Sequence, residues 1–207
     1  MTDLGPLLGG ANSQAQAINS TGVIVGYSQV PGTPSYNHAF SYTAGSTTDL
    51  GTLGGNSSVA NAINGAGVIV GYSDITGNAS YHAFSYSSGT MTDLGTLGGA
   101  YSLANGVNSS GTIVGEAYTV GGVNNAFVDS DGLMTNLNSL VSLPGVTLSD
   151  ATGINDLGDI VANGTNGQAY LLTPIPEPST FAALIGGAAY GVATIRRRRA
   201  PRSAVTD

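Results

Sequence analysis

The chain has no cysteine, no tryptophan and no lysine, and only 8% of its residues are charged. Without cysteine there is no disulfide scaffold and no thiolate for metal or redox chemistry. Basic residues are missing from the first 195 positions. All five are arginines, Arg196, Arg197, Arg198, Arg199 and Arg202, whereas eleven of the twelve acids precede them. A body that carries only acids cannot neutralise phosphates, which argues against nucleic acid as a partner. Before residue 180 no stretch keeps apolar residues at helical spacing. Glycine is abundant instead, at 32 residues, and the 41% hydrophobic share suffices for a core of short stacked strands.

Most of the chain is copies of one unit, best preserved over residues 49–86. DLG-T/P-L begins at Asp3, Asp49 and Asp93, with a worn copy at Asn136-Leu137-Asn138. A second phrase, [IV]N-x-x-G-x-IV-[GA], begins at Ile18, Ile63, Val107 and Ile154, and a third, [HNQ]-A-[FY], at His38, His82, Asn125 and Gln168. The period is about 44 residues, in the range of β-propeller blades. One copy reads as four strand-sized segments, Ala60–Asn64, Val68–Ser73, His82–Tyr86 and Thr90–Leu94, punctuated by Gly, Asn and Ser. Asn64-Gly65-Ala66-Gly67 predicts a type I turn, with Asn in the first position and Gly in the fourth, free to take φ > 0. The expected fold is all-β: a propeller-like repeat domain of about four four-stranded blades over residues 1–173. The first strand of each copy is small (Ala60-Asn61-Ala62) and suits an innermost place. The second is β-branched and suits burial on both faces; the fourth, with its Asp, suits an outer edge.

No basic and then apolar leader precedes Met1-Thr2-Asp3-Leu4-Gly5, which matches Met91–Gly95, the end of a blade. Two expectations fit this start. Further repeats and a signal peptide lie upstream, or Thr2–Leu4 supplies the fourth strand that the last copy lacks and closes a ring.

Candidate chemistry is sparse. His38 and His82 have Asn125 and Gln168 in the equivalent places, and an amide cannot transfer a proton at neutral pH. That set reads as a structural hydrogen bond. Asp3, Asp49 and Asp93 alternate with Asn136, so they read as acceptors for turn N–H groups. Asp150, Asp156 and Asp159 cluster in the last copy without EF-hand spacing; a weak Ca²⁺ site and a solvated turn both remain open. No G-x-S-x-G elbow appears, and the Gly-Gly pairs at 9–10, 54–55 and 98–99 read as crossovers between blades. No catalytic residue, resident metal or cofactor is expected. The second hairpin loop varies in length between copies and carries tyrosines. Tyr36, Tyr81, Tyr101 and Tyr118 are candidates for sugar contact.

The chain changes character after Thr173. Residues 174–180 form a proline-rich linker with Pro176, Glu177, Pro178 and Ser179, stiff and extended. Phe181–Ile195 is uncharged and would span roughly 22 Å as a helix. Taken from Pro178, it reaches the lower limit for crossing a membrane. Arg196, Arg197, Arg198 and Arg199 then stand where the positive-inside rule puts a cytoplasmic flank. The expectation is one C-terminal transmembrane helix, over roughly Ser179–Arg198, with a basic tail through residue 207.

Pro176-Glu177-Pro178-Ser179-Thr180, the apolar run and Arg196–Arg199, in that order, resemble the PEP-CTERM sorting signal of Gram-negative bacteria. His82-Ala83-Phe84 and Asp93-Leu94-Gly95 resemble the HAF repeats of extracellular bacterial proteins. The first resemblance implies transient anchoring in the inner membrane, cleavage near Pro-Glu-Pro by exosortase, a membrane protease, and delivery to the surface or matrix of bacteria that make exopolysaccharide. The expected protein is therefore a non-enzymatic, exported repeat protein. The alternatives are a carbohydrate-binding module and a secreted, polysaccharide-active propeller.

Overall fold

Each copy becomes an antiparallel meander because its turns are written locally. In the four first hairpins Asn19, Asn64, Asn108 and Asn155 accept at their backbone oxygens from Gly22, Gly67, Gly111 and Gly158, three residues on, at 3.0–3.1 Å. Those glycines have φ of 81–86°, which only glycine adopts without strain. The expected Asn-x-x-Gly turns are all present.

The computed structural model describes residues 4–5, 7–32 and 36–174, and the backbone of Arg196–Arg198. The described residues are all-β, with a single 3-10 turn at Leu137–Ser139 and no α-helix. The first sheet is β1 (Ser13–Ile18), β2 (Ile24–Gln29), β3 (Asn37–Thr43) and β4 (Ser46–Gly51). The second is β5 (Gly54–Ile63), β6 (Ile69–Ile75), β7 (Tyr81–Ser87) and β8 (Thr90–Asp93). The third is β9 (Gly98–Val107), β10 (Ile113–Thr119), β11 (Asn124–Ser130) and β12 (Leu133–Asn136). The fourth is β13 (Leu148–Ile154), β14 (Ile160–Gly164), β15 (Ala169–Thr173) and β16 (Arg196–Arg198).

Three expectations need correction. The first strands of the second and third copies begin earlier than expected, at Gly54 and Gly98, so the Gly-Gly pairs lie inside strands. There β5 runs close along the end of β6: a Cβ on Gly55 would sit 2.5 Å from that of Asp74. The outer place on β15, expected for Thr2–Leu4, is taken by Arg196–Arg198, paired with Leu171–Thr173. An open strand edge has N–H and C=O groups to satisfy, and any extended segment can do so. These three arginines are therefore strand, not the end of a helix. Among the described residues no helix is long and apolar enough to cross a membrane. Phe181–Ile195, expected to do so, lies outside the described residues, as do Pro176, Glu177, Pro178, Ser179 and Arg199.

Sheets pack in chain order. β2 and β3 lie on β5, β6 and β7 on β9, and β10 and β11 on β13, while the first strands β1, β5, β9 and β13 adjoin in succession. Each sheet has a forward face, toward the next copy, and a backward face, toward the previous one. Three separate cores fill the joints: Val25 with Ile69 and Phe84, Val70 with Ile113 and Phe127, and Val114 with Ile160 and Tyr170. The glycine after the second-strand valine is forced by the bulge in the first strand. A Cβ on Gly26, Gly71 or Gly115 would lie within about 2 Å of the carbonyl oxygen of Gln14, Val59 or Leu103.

Hydrogen bonds stitch the sheets where the cores end. Asn64 Oδ1 accepts from Ala66 N and Val68 N at 3.0 and 2.9 Å, holding its own turn, while Nδ2 donates to Asn108 O in the next copy at 2.8 Å. Asn19 reaches Asn64 O and Asn108 reaches Asn155 O in the same way. Asn61 and Asn105 form a second rail, donating to Ala104 O and Ala151 O. Replacing Asn64, which is buried, by alanine should cost about 2–3 kcal/mol, because three bonds go, among them the buried one to Asn108 O. Asn155→Ala should cost less, since Asn155 is exposed and its Nδ2 donates to Asp159 within its own copy. Urea denaturation of both variants checks the order; equal losses contradict the stitching role.

Candidate functional site

The outer edges carry the two histidines. His38 Nδ1 lies 2.8 Å from Asp49 Oδ2, and His82 Nδ1 2.9 Å from Asp93 Oδ2. Asp49 and Asp93 also accept from Gly51 N and Gly95 N, two residues on. In the third copy Asn138 Nδ2 donates to Asn125 Oδ1, and Asn136 Oδ1 accepts from Asn138 N. An amide pair thus fills the place of an imidazole–carboxylate pair. All three versions tie the third strand to the turn that leaves the fourth, a task that needs hydrogen bonds and not proton transfer. Gln168, in the last copy, is exposed and bonds to Asn166, two residues before it.

The three carboxylates of the last copy do not converge. Asp150 accepts from Ser149 Oγ and Asn163 Nδ2, Asp156 from Ser109 N of the third sheet, and Asp159 from Asn155 Nδ2. The bond from Ser109 N holds the Asp156 carboxyl below the usual carboxylate range. Among the described residues no three acids or histidines gather as a metal site would require.

The second hairpins do bring residues together. Tyr72 on β6 pairs with Ala83, so Tyr81, two residues earlier on β7, lies diagonally beside it. Their rings are 5.3 Å apart; Tyr81 and Tyr101 are 4.8 Å apart, and Tyr101 and Tyr118 5.6 Å with an edge-on contact. The row crosses from the second sheet to the third through Tyr101 on β9, the strand that packs on β6 and β7. All four rings are half-buried. Burial pushes the phenols of Tyr72 and Tyr81 above their ordinary pKa; Tyr27 and Asp74 add to this at Tyr72, and Glu116 and the neighbouring tyrosines at Tyr81. The phenols therefore stay protonated at neutral pH and can donate.

Glu116 is fixed beside the row by Asn124, whose Nδ2 donates to Oε2 at 2.6 Å. Asn124 Oδ1 is buried without a partner. The arrangement offers apolar ring surface, phenol donors and one carboxylate. It offers no pair of acids across a cleft. Of the tyrosines singled out from the sequence, Tyr81, Tyr101 and Tyr118 meet here and Tyr36 does not join them. Tyr72 was missed; the repeated Gly-Tyr after the second-strand Ile-Val was the available signal.

Asp129 is a buried acid. Oδ1 accepts from Gly132 N at 3.2 Å and Oδ2 has no partner. Burial raises its pKa, Gly132 N opposes that, and Asp131 adds to it. The folded state then holds the proton more tightly than the unfolded one, so stability from this group is greatest at acid pH. It falls as pH rises from the ordinary carboxylate value through the raised one. Asp129→Asn should therefore raise the melting temperature at pH 7, and the gain over wild type should shrink as pH falls toward about 4. A gain that grows toward acid pH contradicts this assignment.

No family model matches the chain, and no curated protein or solved structure matches it.

Proposed function

We propose that this is an exported, non-enzymatic repeat protein of the bacterial surface or extracellular matrix. Its four sheets are blades of a propeller-like array, held in the inner membrane as a precursor by a C-terminal helix and released by exosortase. The observation that carries the reading is the order of parts behind the sheets: Pro176-Glu177-Pro178-Ser179, an uncharged run over residues 181–195, then Arg196–Arg199. Three prolines within residues 174–178 cannot extend the sheet ladder, and they uncouple the apolar run from it. The run is rich in Gly and Ala, and its few Leu, Ile, Val and Phe contribute only about half a kcal/mol each to insertion. A weakly held span suits handover to a processing enzyme. In the inserted precursor the arginines lie on the cytoplasmic flank, so their pairing with β15 belongs to the chain outside the bilayer.

Expression with a signal peptide in a host that carries an exosortase tests this. Wild type should reach the medium or surface without Arg196–Arg199, and Glu177→Ala should stay in the membrane fraction. A released product that keeps the arginines, or normal processing of Glu177→Ala, sinks the reading.

The tyrosine row favours a second reading, carbohydrate binding. Flat apolar rings stack on sugar faces, and the Glu116 carboxylate accepts from sugar hydroxyls. Exopolysaccharide is the ligand class that the exported location would offer. Wild type should be retarded on an immobilised polysaccharide column, and Tyr81→Ala and Tyr101→Ala should lose most of that retention. Unchanged elution of both variants removes the row as a binding site, and release of reducing ends would show an enzyme instead.

A further inference from the structure

The three internal joints are built from the same parts, and the two ends of the array carry the parts of another. On the forward side of each joint, Val25, Val70 and Val114 and the third-strand alanines Ala39, Ala83 and Ala126 are fully buried. The same positions in the fourth sheet, Val161 and Ala169, are exposed, Val161 at 45%. On the backward side, Ala60, Ala104 and Ala151 are fully buried and Ile69, Ile113 and Ile160 almost so. In the first sheet Ala15 is exposed, Ile24 is only half-buried, and Ile18 is 65% exposed where Ile63, Val107 and Ile154 are half-buried. Phe40 of that sheet is buried, so the open strip runs along β1 and the start of β2.

The hydrogen bonds stop at the same places. Asn19, Asn64 and Asn108 each donate to the next copy, whereas Asn155 turns its Nδ2 to Asp159. Among the described residues, Asn19 O accepts from Gly22 N and from no side chain. The two end faces are therefore complementary halves of a joint that the chain already makes three times.

We propose that the forward face of the fourth sheet docks on the backward face of the first sheet in a second copy of this chain. Val161 and Ala169 then meet Ile24, Ile18 and Ala15 of the other copy. Asn155 turns from Asp159 to the other copy's Asn19 O. The two surfaces differ, so the contact is heterologous: two arcs close into a ring if the rotation allows, and otherwise copies run on as a filament. Repeat arrays need polar outer faces at their ends to stay apart, and these ends are not polar. This inference is independent of export and processing.

A cysteine-free chain makes the test clean. At the first internal joint, Ser20 Oγ lies 3.8 Å from where a Cβ on Gly65 would stand, within reach of a disulfide. The matching pair across copies is Asp156 and Ser20. Full-length Ser20→Cys and Asp156→Cys proteins, mixed in mild detergent and oxidised gently, should give a disulfide-linked heterodimer. Each variant alone should stay uncrosslinked. In sedimentation velocity the wild type should run as a dimer or longer assembly. Val161→Glu should return it to monomer, and Val120→Glu, at an exposed loop site, should leave it unchanged. Thermal melting confirms that each variant is folded. A monomeric wild type overturns the proposal, as does crosslinking of either single variant with itself. So does an internal crosslink in the double variant, which would show the chain closing on itself.

Discussion

One side chain per copy holds this architecture together. The asparagine that opens the first hairpin uses its oxygen to close its own turn and its nitrogen to reach the next turn, about 44 residues on. Local order and long-range order thus share one amide. Aspartate could close the turn but could not donate, and serine is too short to span both; the amide supplies both polarities at one site. Because Asn19, Asn64 and Asn108 each reach the backbone of the next copy, the turns hold neighbouring sheets at one spacing. The apolar cores fill the gap between them from the same valine and isoleucine positions in each joint.

Steric demand fixes the rest. Where the first strand bulges, its carbonyl oxygen points at the second strand, and only glycine leaves room at Gly26, Gly71 and Gly115. The fourth copy has Ala162 there, and beside the bulge its first strand has an added register shift, between Leu148 and Asp150, that the other three copies lack. Buried serines carry the crossovers. Ser58 accepts from Ala39 N and donates to Gly51 O, binding the start of one copy to the end of the previous one. In the fourth copy Asn138 does this work, donating to Leu148 O and accepting from Leu148 N. The joints tolerate such substitutions because the required quantity is a satisfied buried polar group, not a particular residue.

Recurrence along the outer edges separates structure from chemistry. A histidine beside a carboxylate at 2.8 Å looks like part of a catalytic site in isolation. In the third copy Asn125 and Asn138 do the same work. The tyrosine row is the opposite case. Among the described residues it forms between the second and third sheets only, since the second sheet has Ser57 where Tyr101 stands and the third has Glu116 where Tyr72 stands. Its singularity in a repetitive frame is what gives it functional weight.

The sequence by itself determined the turns, the strand count per copy and the all-β class. Each depends on residues within a few positions of one another, and glycine and asparagine report such local geometry directly. It also singled out three of the four ring tyrosines, of which Tyr81 and Tyr118 flank second hairpin loops whose length varies and Tyr101 lies in β9. Tyr72 escaped because strand position alone does not tell which face meets a neighbouring copy; that depends on the bulge at Ala60/Ala62 and on how the sheets stack. The early start of β5 and β9 escaped for a similar reason: Gly54 and Gly98 have poor strand propensity, and only the backbone of β6 or β10 draws them into pairing. Which strand lies on the free edge of β15 was likewise beyond sequence reading, since backbone pairing carries no residue code and Arg196–Arg198 serve as well as an apolar strand. The exposure of Val161 and Ala169, set against their buried counterparts, was decided by tertiary structure alone. The same residues in equivalent strands differ there only in whether another sheet stands in front of them.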